Sequence, residues 1–454
     1  MTRNVPKLSH SPLRALYDEA GLSPGLRRSL TLMMTANLCG SMFGIVCSAS
    51  STAMVGLANA LHAGDLAYGL INGIPQAAML LQIPFAMLVS RTHRRKRYLM
   101  TFGLFSRFLW LLFGLIPLIV PPHPSWLPLW TLIFLLGVSS CCSAAINVCW
   151  FPWFSDLAPL RLRGRWLSFR DSLVAACSLG FGIFTAHLLD TLPPDRRYVI
   201  IFIIGGVLGM LDMISYGFCQ EVYSAPPRKM SFRAVIRDVA GNRPFLRLIG
   251  MWTAWCFTAN LCEPYLYRYS INEMGLTFTQ MMLFGSAAAA MGTILAIGRW
   301  GRALDRYGCR SVMMVAATAA SLTNLFYLIS APGSIWPVLL RNFAGALFWS
   351  GSNLAANSMQ LSCSPDDTRP SYIAVFSCVT ALLGMALGAM AGGALLEGLE
   401  GLRWFTGSFD RYKALILFSC VLRFLSVLLL VPPLENDREG TPRELVLSLV
   451  RRSR

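Results

Sequence analysis

A carboxylate stands where hydrocarbon is expected: Glu263, followed by Pro264, lies well inside an apolar stretch that begins near 247. Burying a charge in a bilayer is costly unless it is paired or hydrated, so an intramembrane carboxylate points to function. Pro264 removes a backbone hydrogen bond and bends the helix, and a carboxylate at such a bend can bind a proton on one side and release it on the other. Glu263 is therefore the candidate coupling residue. The competing reading puts it near the outer interface, paired with Arg268. Arg107 and Asp212 also sit inside apolar stretches, each roughly 10 to 14 Å from one membrane face at 1.5 Å per residue, and are expected to form a structural ion pair. Arg341 is a few residues from the end of its stretch, where snorkelling is expected; anion binding is the weaker alternative.

Uncharged polar groups fall in two stripes. Ser140, Ser143, Asn147, Trp150 and Phe154 follow steps of three and four, as do Ser350, Asn353, Asn357 and Gln360 with Trp349 beside them, so each set shares one helix face. An amide in the bilayer must meet another polar group or water. Asn147, Trp150, Trp349, Asn353 and Asn357 are the candidate cavity wall for a small polar or amphipathic ligand, with hydrogen bonding between helices as the alternative. The thirteen Cys form no Cys-x-x-Cys pair and the five His stand singly, so no metal site or cofactor is expected. There is no Gly-x-x-x-x-Gly-Lys-Ser/Thr phosphate loop, which argues against ATP-driven transport by this chain alone, and no Gly-x-Ser-x-Gly elbow.

The elements that must position these residues are membrane helices. Hydrophobic residues make up 55% of 454 positions and charged ones 13%, far from the composition of a soluble domain. Spans of about 20 apolar residues cross a bilayer, and twelve are expected near 29–60, 67–90, 98–120, 126–157, 166–189, 198–219, 247–270, 278–300, 311–330, 336–361, 371–396 and 412–432. The net charge of +17 falls in short loops such as Arg91 to Arg97 and Arg302 to Arg310, which places both termini in the cytoplasm and leaves no call for nucleic acid. The expected organisation is an all-α membrane protein: a cytoplasmic tail at 1–28, a six-helix half at 29–219, a cytoplasmic linker at 220–246 with a short amphipathic surface helix, a second six-helix half at 247–432, and a tail at 433–454. The halves repeat one another. Asn147, Pro159, Arg163 and Gly182 recur at a constant offset as Asn353, Pro365, Arg369 and Gly388, a duplication by which secondary transporters build a site between two halves.

The loop after the eighth span reads Gly301, Arg302, Ala303, Leu304, Asp305, Arg306, Tyr307, Gly308, Cys309, Arg310. It resembles the Gly-x-x-x-Asp-Arg-x-Gly-Arg-Arg loop of the major facilitator superfamily. The first-half copy, Arg91 to Arg97, keeps the basic end and lacks the Gly and Asp. Asp156-Leu157-Ala158-Pro159 followed by Arg163-Gly164-Arg165-Trp166 is similar to a bacterial branch of that superfamily. The resemblance implies two six-helix pseudo-repeats, with the fourth and tenth spans lining a central cavity and the third and sixth peripheral. Independently of it, Gly301 and Gly308 would permit close helix approach and a tight turn, and Asp305, with Arg306 and Arg310, could latch helix ends. Arg163 and Arg369 are expected to cap the last carbonyls of a helix or to pair with Asp156, Asp366 or Asp367. These seven residues, Gly301, Asp305, Arg306, Gly308, Arg310, Arg163 and Arg369, are the candidate gating set.

The leading expectation is a monomeric, non-enzymatic secondary transporter of the cytoplasmic membrane that moves a small molecule by alternating access, with proton coupling, symport or antiport left open. The alternatives are a lipid-modifying membrane enzyme using His187 and Asp190, and a transport-inactive scaffold or receptor of the same fold. Substrate, direction and coupling ion are not legible in the sequence.

Overall fold

The computed structural model describes residue 17 and residues 22–92, 94–121, 123–124, 126–194, 196–221, 232–365, 368–400, 410–434 and 441–445. Most of the N-terminal tail, linker positions 222–231, Asp366, Asp367 and most of the C-terminal tail lie outside the described residues. Among the described residues nine helices are long and apolar enough to cross a membrane by length and composition. Three more, which carry more polar or charged residues, complete a bundle of two six-helix halves.

The first span, Pro24–Val46, breaks and resumes as Thr52–Ala60, restarted where Ser51 Oγ accepts the Met54 backbone N–H at 3.1 Å as an N-cap. The second runs Asp65–Thr92 in three pieces, the third is Arg95–Phe113, the fourth Trp126–Leu157, the fifth Leu160–Thr191 and the sixth Arg197–Gly217. A short helix, Phe232–Gly241, precedes the seventh span, which is split into Arg243–Asn260 and Glu263–Asn272. The eighth and ninth spans form one run, Phe278–Leu322, broken at Gly308 (φ 80°, ψ 166°) and finished by the 3-10 turns Thr323–Ile329. The tenth is Trp336–Ser362, the eleventh Arg369–Leu399 with a stretch of π-helix at Thr380–Ala386, and the twelfth Arg411–Leu430.

Two expectations are corrected here. The segment from Arg302, read as a loop, stays helical to Gly308, because good helix formers continue the eighth span until a positive φ that glycine tolerates turns the chain. Gly301 makes no close approach: a Cβ there would meet nothing within 4 Å, so it is an ordinary helical position in this conformation.

With twelve crossings, the termini lie at one end of the bundle, here the terminal end; the opposite end is the distal end. Buried apolar residues divide unevenly between them. At the distal end one cluster joins both halves, including Tyr68, Phe113 and Phe202 from the first and Tyr265, Tyr269 and Tyr412 from the second. Toward the terminal end each half has its own cluster, around Trp153 and Trp166 in the first and around Trp255 and Trp300 in the second. The halves therefore share a core at one end and keep separate cores at the other.

Candidate functional site: a charged cavity and a distal seal

A cavity of about 600 Å³ opens within the second half, between the seventh, eighth, ninth, tenth, eleventh and twelfth spans. Its charged wall is formed by Glu263, Arg341 and Arg423. The break at Leu261 and Cys262 puts Glu263 at the first turn of the distal segment of the seventh span, with Pro264 at a position where a missing N–H costs nothing. Arg341 Nη2 donates to Glu263 Oε2, while Arg423 Nη1 lies 3.6 Å from Oε1. Asn324 ties the group together: its Nδ2 donates to Glu263 at 3.2 Å and its Oδ1 accepts from Arg341 Nε at 3.0 Å. Arg423 is 2% exposed, and its guanidinium packs 4.5 Å from the Trp255 ring and 5.2 Å from that of Trp349, which stack on each other. Its Nε has no hydrogen-bond partner.

This arrangement overturns two expectations. Glu263 is not paired with Arg268, which reaches Asp65 in the other half at 3.0 Å. Arg341 does not snorkel; the carboxylate at the helix break holds it inside the protein. Arg423 was not singled out, although an arginine inside the apolar twelfth span carries the same signal as Arg107.

Trp349 and Asn353 line the same cavity. Asn357, one turn further along the tenth span, is exposed. In the first half, Asn147 and Trp150 line a smaller hollow of about 380 Å³ with Arg107, Arg170, Asp171 and Asp212. Trp150 Nε1 donates to Tyr216 Oη at 2.7 Å, and Arg170 lies over its ring at 5.1 Å. Arg107 Nη2 stands 3.4 Å from Asp212 Oδ2. The two residues meet as expected and line this hollow, and the sixth span packs closely on the first at Gly40, where a Cβ would sit 2.9 Å from Asp212.

The distal end is sealed by polar contacts across the halves. Asp65, 3% exposed, opens the second span and meets Arg268 at 3.0 Å, Arg411 at 3.3 Å and the Tyr412 hydroxyl at 3.1 Å. Asp190, ending the fifth span, accepts the backbone N–H groups of Phe278 and Thr279 at 3.1 and 2.8 Å and so caps the eighth span. Glu397, near the end of the eleventh, accepts the Leu66 N–H at 3.0 Å at the start of the second. Asp190 is thus occupied in capping, and His187, proposed with it for lipid chemistry, is exposed.

The gating set divides. Arg163 Nε donates to the Ala158 carbonyl at 2.8 Å and its Nη2 to that of Ser155, capping the fourth span, while Asp156 is taken by Arg95 at 2.5 Å. Arg369 opens the eleventh span. Arg310 donates to the Pro432 and Leu434 carbonyls at 3.4 and 3.5 Å. Arg306 lies over the Tyr307 ring. Asp305 is exposed, so no latch through it is closed in this conformation.

No curated protein matches the sequence. Among solved structures, a point mutant of the nucleoside transporter NupG aligns with a TM-score of 0.71 at 10% identity, covering 90% of this chain and 99% of that one. The POT family transporter PepTSo aligns with a TM-score of 0.70 at 9% identity over 89% and 97%. The inward open conformation of the xylose transporter XylE from E. coli gives 0.63 at 14% identity over 92% and 99%. At such identities these likenesses speak to the fold alone. The model of the Major Facilitator Superfamily matches residues 36–302, more than half of the sequence, and together with the twelve-span bundle this places the chain in that superfamily of membrane transporters.

Proposed function

We propose that this chain is a secondary active transporter that carries a small solute across the cytoplasmic membrane by alternating access, and that the conformation described here faces inward. The observation that carries the reading is the uneven core: one apolar cluster shared by both halves at the distal end, and a separate cluster in each half toward the terminal end. Two rigid bodies joined only at one end can rock about a site between them. The basic loops near the terminal end make it the cytoplasmic side. The distal seal built on Asp65, Asp190 and Glu397 must then open for the outward state, and the segment around Asp305 is the candidate for the latch that closes there.

Glu263 is the proposed coupling residue. The charged and titratable groups facing it are Arg341 and Arg423 from the tenth and twelfth spans, Tyr327 from the ninth, Cys420 from the twelfth and its neighbour Cys262. While both guanidiniums answer its charge it has no use for a proton. When they turn to another partner, a proton on Glu263 restores the balance.

The test is flux. Proteoliposomes holding the purified protein are exposed to a mixed metabolite pool under an imposed pH gradient, and their contents are measured by mass spectrometry. Accumulation of a solute above that in empty liposomes supports transport. Specific binding of a solute to the folded protein with no entry under any gradient would mark a transport-inactive receptor instead.

A further inference from the structure

We infer that the transported solute is an organic anion bearing a carboxylate or phosphate group beside an apolar or aromatic body, and that Arg341 and Arg423 are its anion clamp. The inference rests on the transport reading above and narrows it.

Charge balance singles out the cavity of the second half. The charged residues lining the first-half hollow are Arg107, Arg170, Asp171 and Asp212, two of each sign, and they pair among themselves. The second-half cavity is lined by two arginines and one glutamate. With every group in its usual charge state one positive charge is left over, and Arg423 is only 2% exposed, so that charge without a counter-ion is costly. A bound anion removes that excess.

The geometry agrees with the charge. Arg423 is almost wholly buried, touches Glu263 only at 3.6 Å and leaves Nε without a partner, so its fork is not saturated by the protein. Guanidinium groups present planar pairs of donors that match carboxylate and phosphate oxygens. Trp349 forms the adjoining wall, so an anion held at Arg423 has its body beside an indole. A cavity of about 600 Å³ falls within the range of small-molecule sites.

Glu263 then acts as an internal competitor. It occupies Arg341 when the site is empty, and an incoming anion displaces it. A monovalent anion leaves the site neutral with Glu263 ionised; a divalent phosphate leaves one negative charge, and a proton taken up by Glu263 from the solution filling the cavity removes it. The two guanidiniums, the carboxylate and the anion thus reach charge balance without a proton for a monovalent substrate and with one for a divalent substrate, which gives the coupling residue a reason to stand between two arginines.

The experiment compares acids with their neutral analogues: indole-3-acetate with indole-3-acetamide, benzoate with benzamide, and phenyl phosphate with phenol. Each is added at millimolar concentration to the purified protein, and binding is read by thermal stabilisation and by quenching of tryptophan fluorescence. We expect at least one acid to bind while its neutral partner does not, with the carboxylate and phosphate members telling the two headgroups apart. Arg423→Gln should weaken that binding by about tenfold or more, whereas Glu263→Gln, which removes the competitor, should tighten it. If Arg423→Gln yields no folded protein, Arg341→Gln carries the same comparison. Neutral analogues binding as well as the acids, failure of every acid to bind, or acid affinity indifferent to both arginines would overturn the inference. Binding of a neutral solute that also enters proteoliposomes would do so while leaving the transport reading intact. Acid binding without flux would leave the clamp standing and remove the transport reading.

Discussion

Asp190 and Glu397 perform the same task for opposite halves of the molecule. Each lies near the end of a corresponding span, the fifth and the eleventh, and accepts backbone N–H at the start of a helix in the other half, Asp190 from two residues of the eighth and Glu397 from one of the second. Their separation nearly reproduces the offset that relates Asn147 to Asn353. The duplication therefore extends to the seal between the halves: each half caps a helix of the other with a carboxylate, at the end where the macrodipole favours negative charge.

If these caps hold the distal seal, Asp190→Ala and Glu397→Ala should each cost the sealed conformation about 0.5–2 kcal/mol. The double variant should lose about the sum, since the two sites share no partner. Hydrogen exchange read by mass spectrometry should report it as faster exchange at the starts of the second and eighth spans. Unchanged protection in the double variant would mean that apolar packing alone closes this end.

Close backbone approach is the other part of the seal. A Cβ on Gly69 would lie 2.7 Å from the Ala389 carbonyl oxygen of the eleventh span, whereas one on Gly301 would meet nothing. Gly69→Val should therefore prop the second and eleventh spans apart, at a cost of about 1–3 kcal/mol from overpacking, and lower the thermal midpoint of the purified protein. Gly301→Ala should raise it, by about 0.5–1 kcal/mol of helix propensity. Equal midpoints for the two variants would show that the crossing adapts.

The two loops that look like degraded and intact copies in sequence should fail differently. Arg95 is bound to Asp156, with side chains 11% and 18% exposed, so Arg95→Ala should destabilise the resting protein by about 2 kcal/mol. Asp305 is exposed, so Asp305→Asn should leave thermal stability unchanged and slow transport, through loss of a contact made only when the terminal end closes. Flux at the wild-type rate in Asp305→Asn would remove the latch.

Glu263→Gln separates coupling from binding. The amide imitates a permanently protonated acid, so solute accumulation driven by a pH gradient should disappear, while exchange between equal pools, which needs no net proton release, should persist. A variant that still accumulates solute at the wild-type level would exclude Glu263 as the coupling site. One that loses both modes together with its thermal stability would show that its pairing with Arg341 and Arg423 is structural.

The spans, their number, the repeat and the basic loops were legible in the sequence, because hydropathy and positive-inside charge act locally: each segment meets the bilayer by itself, and its composition decides the outcome. The stripes carrying Asn147 with Trp150 and Trp349 with Asn353 were visible for the same reason, since helical periodicity alone puts them on one face. Tertiary structure decided which charges meet. Arg268 is five residues from Glu263 and was the obvious partner, yet it serves Asp65 in the other half, while Glu263 is claimed by Arg341 and Arg423 from two later spans. Ion pairs in a bundle depend on the rotation and depth of neighbouring helices, and these are set by small-residue crossings such as Gly69 on Ala389 and by the breaks at Cys262 and Gly308. The excess charge of the cavity follows from that packing, since no stretch of the chain read alone brings two arginines to one carboxylate.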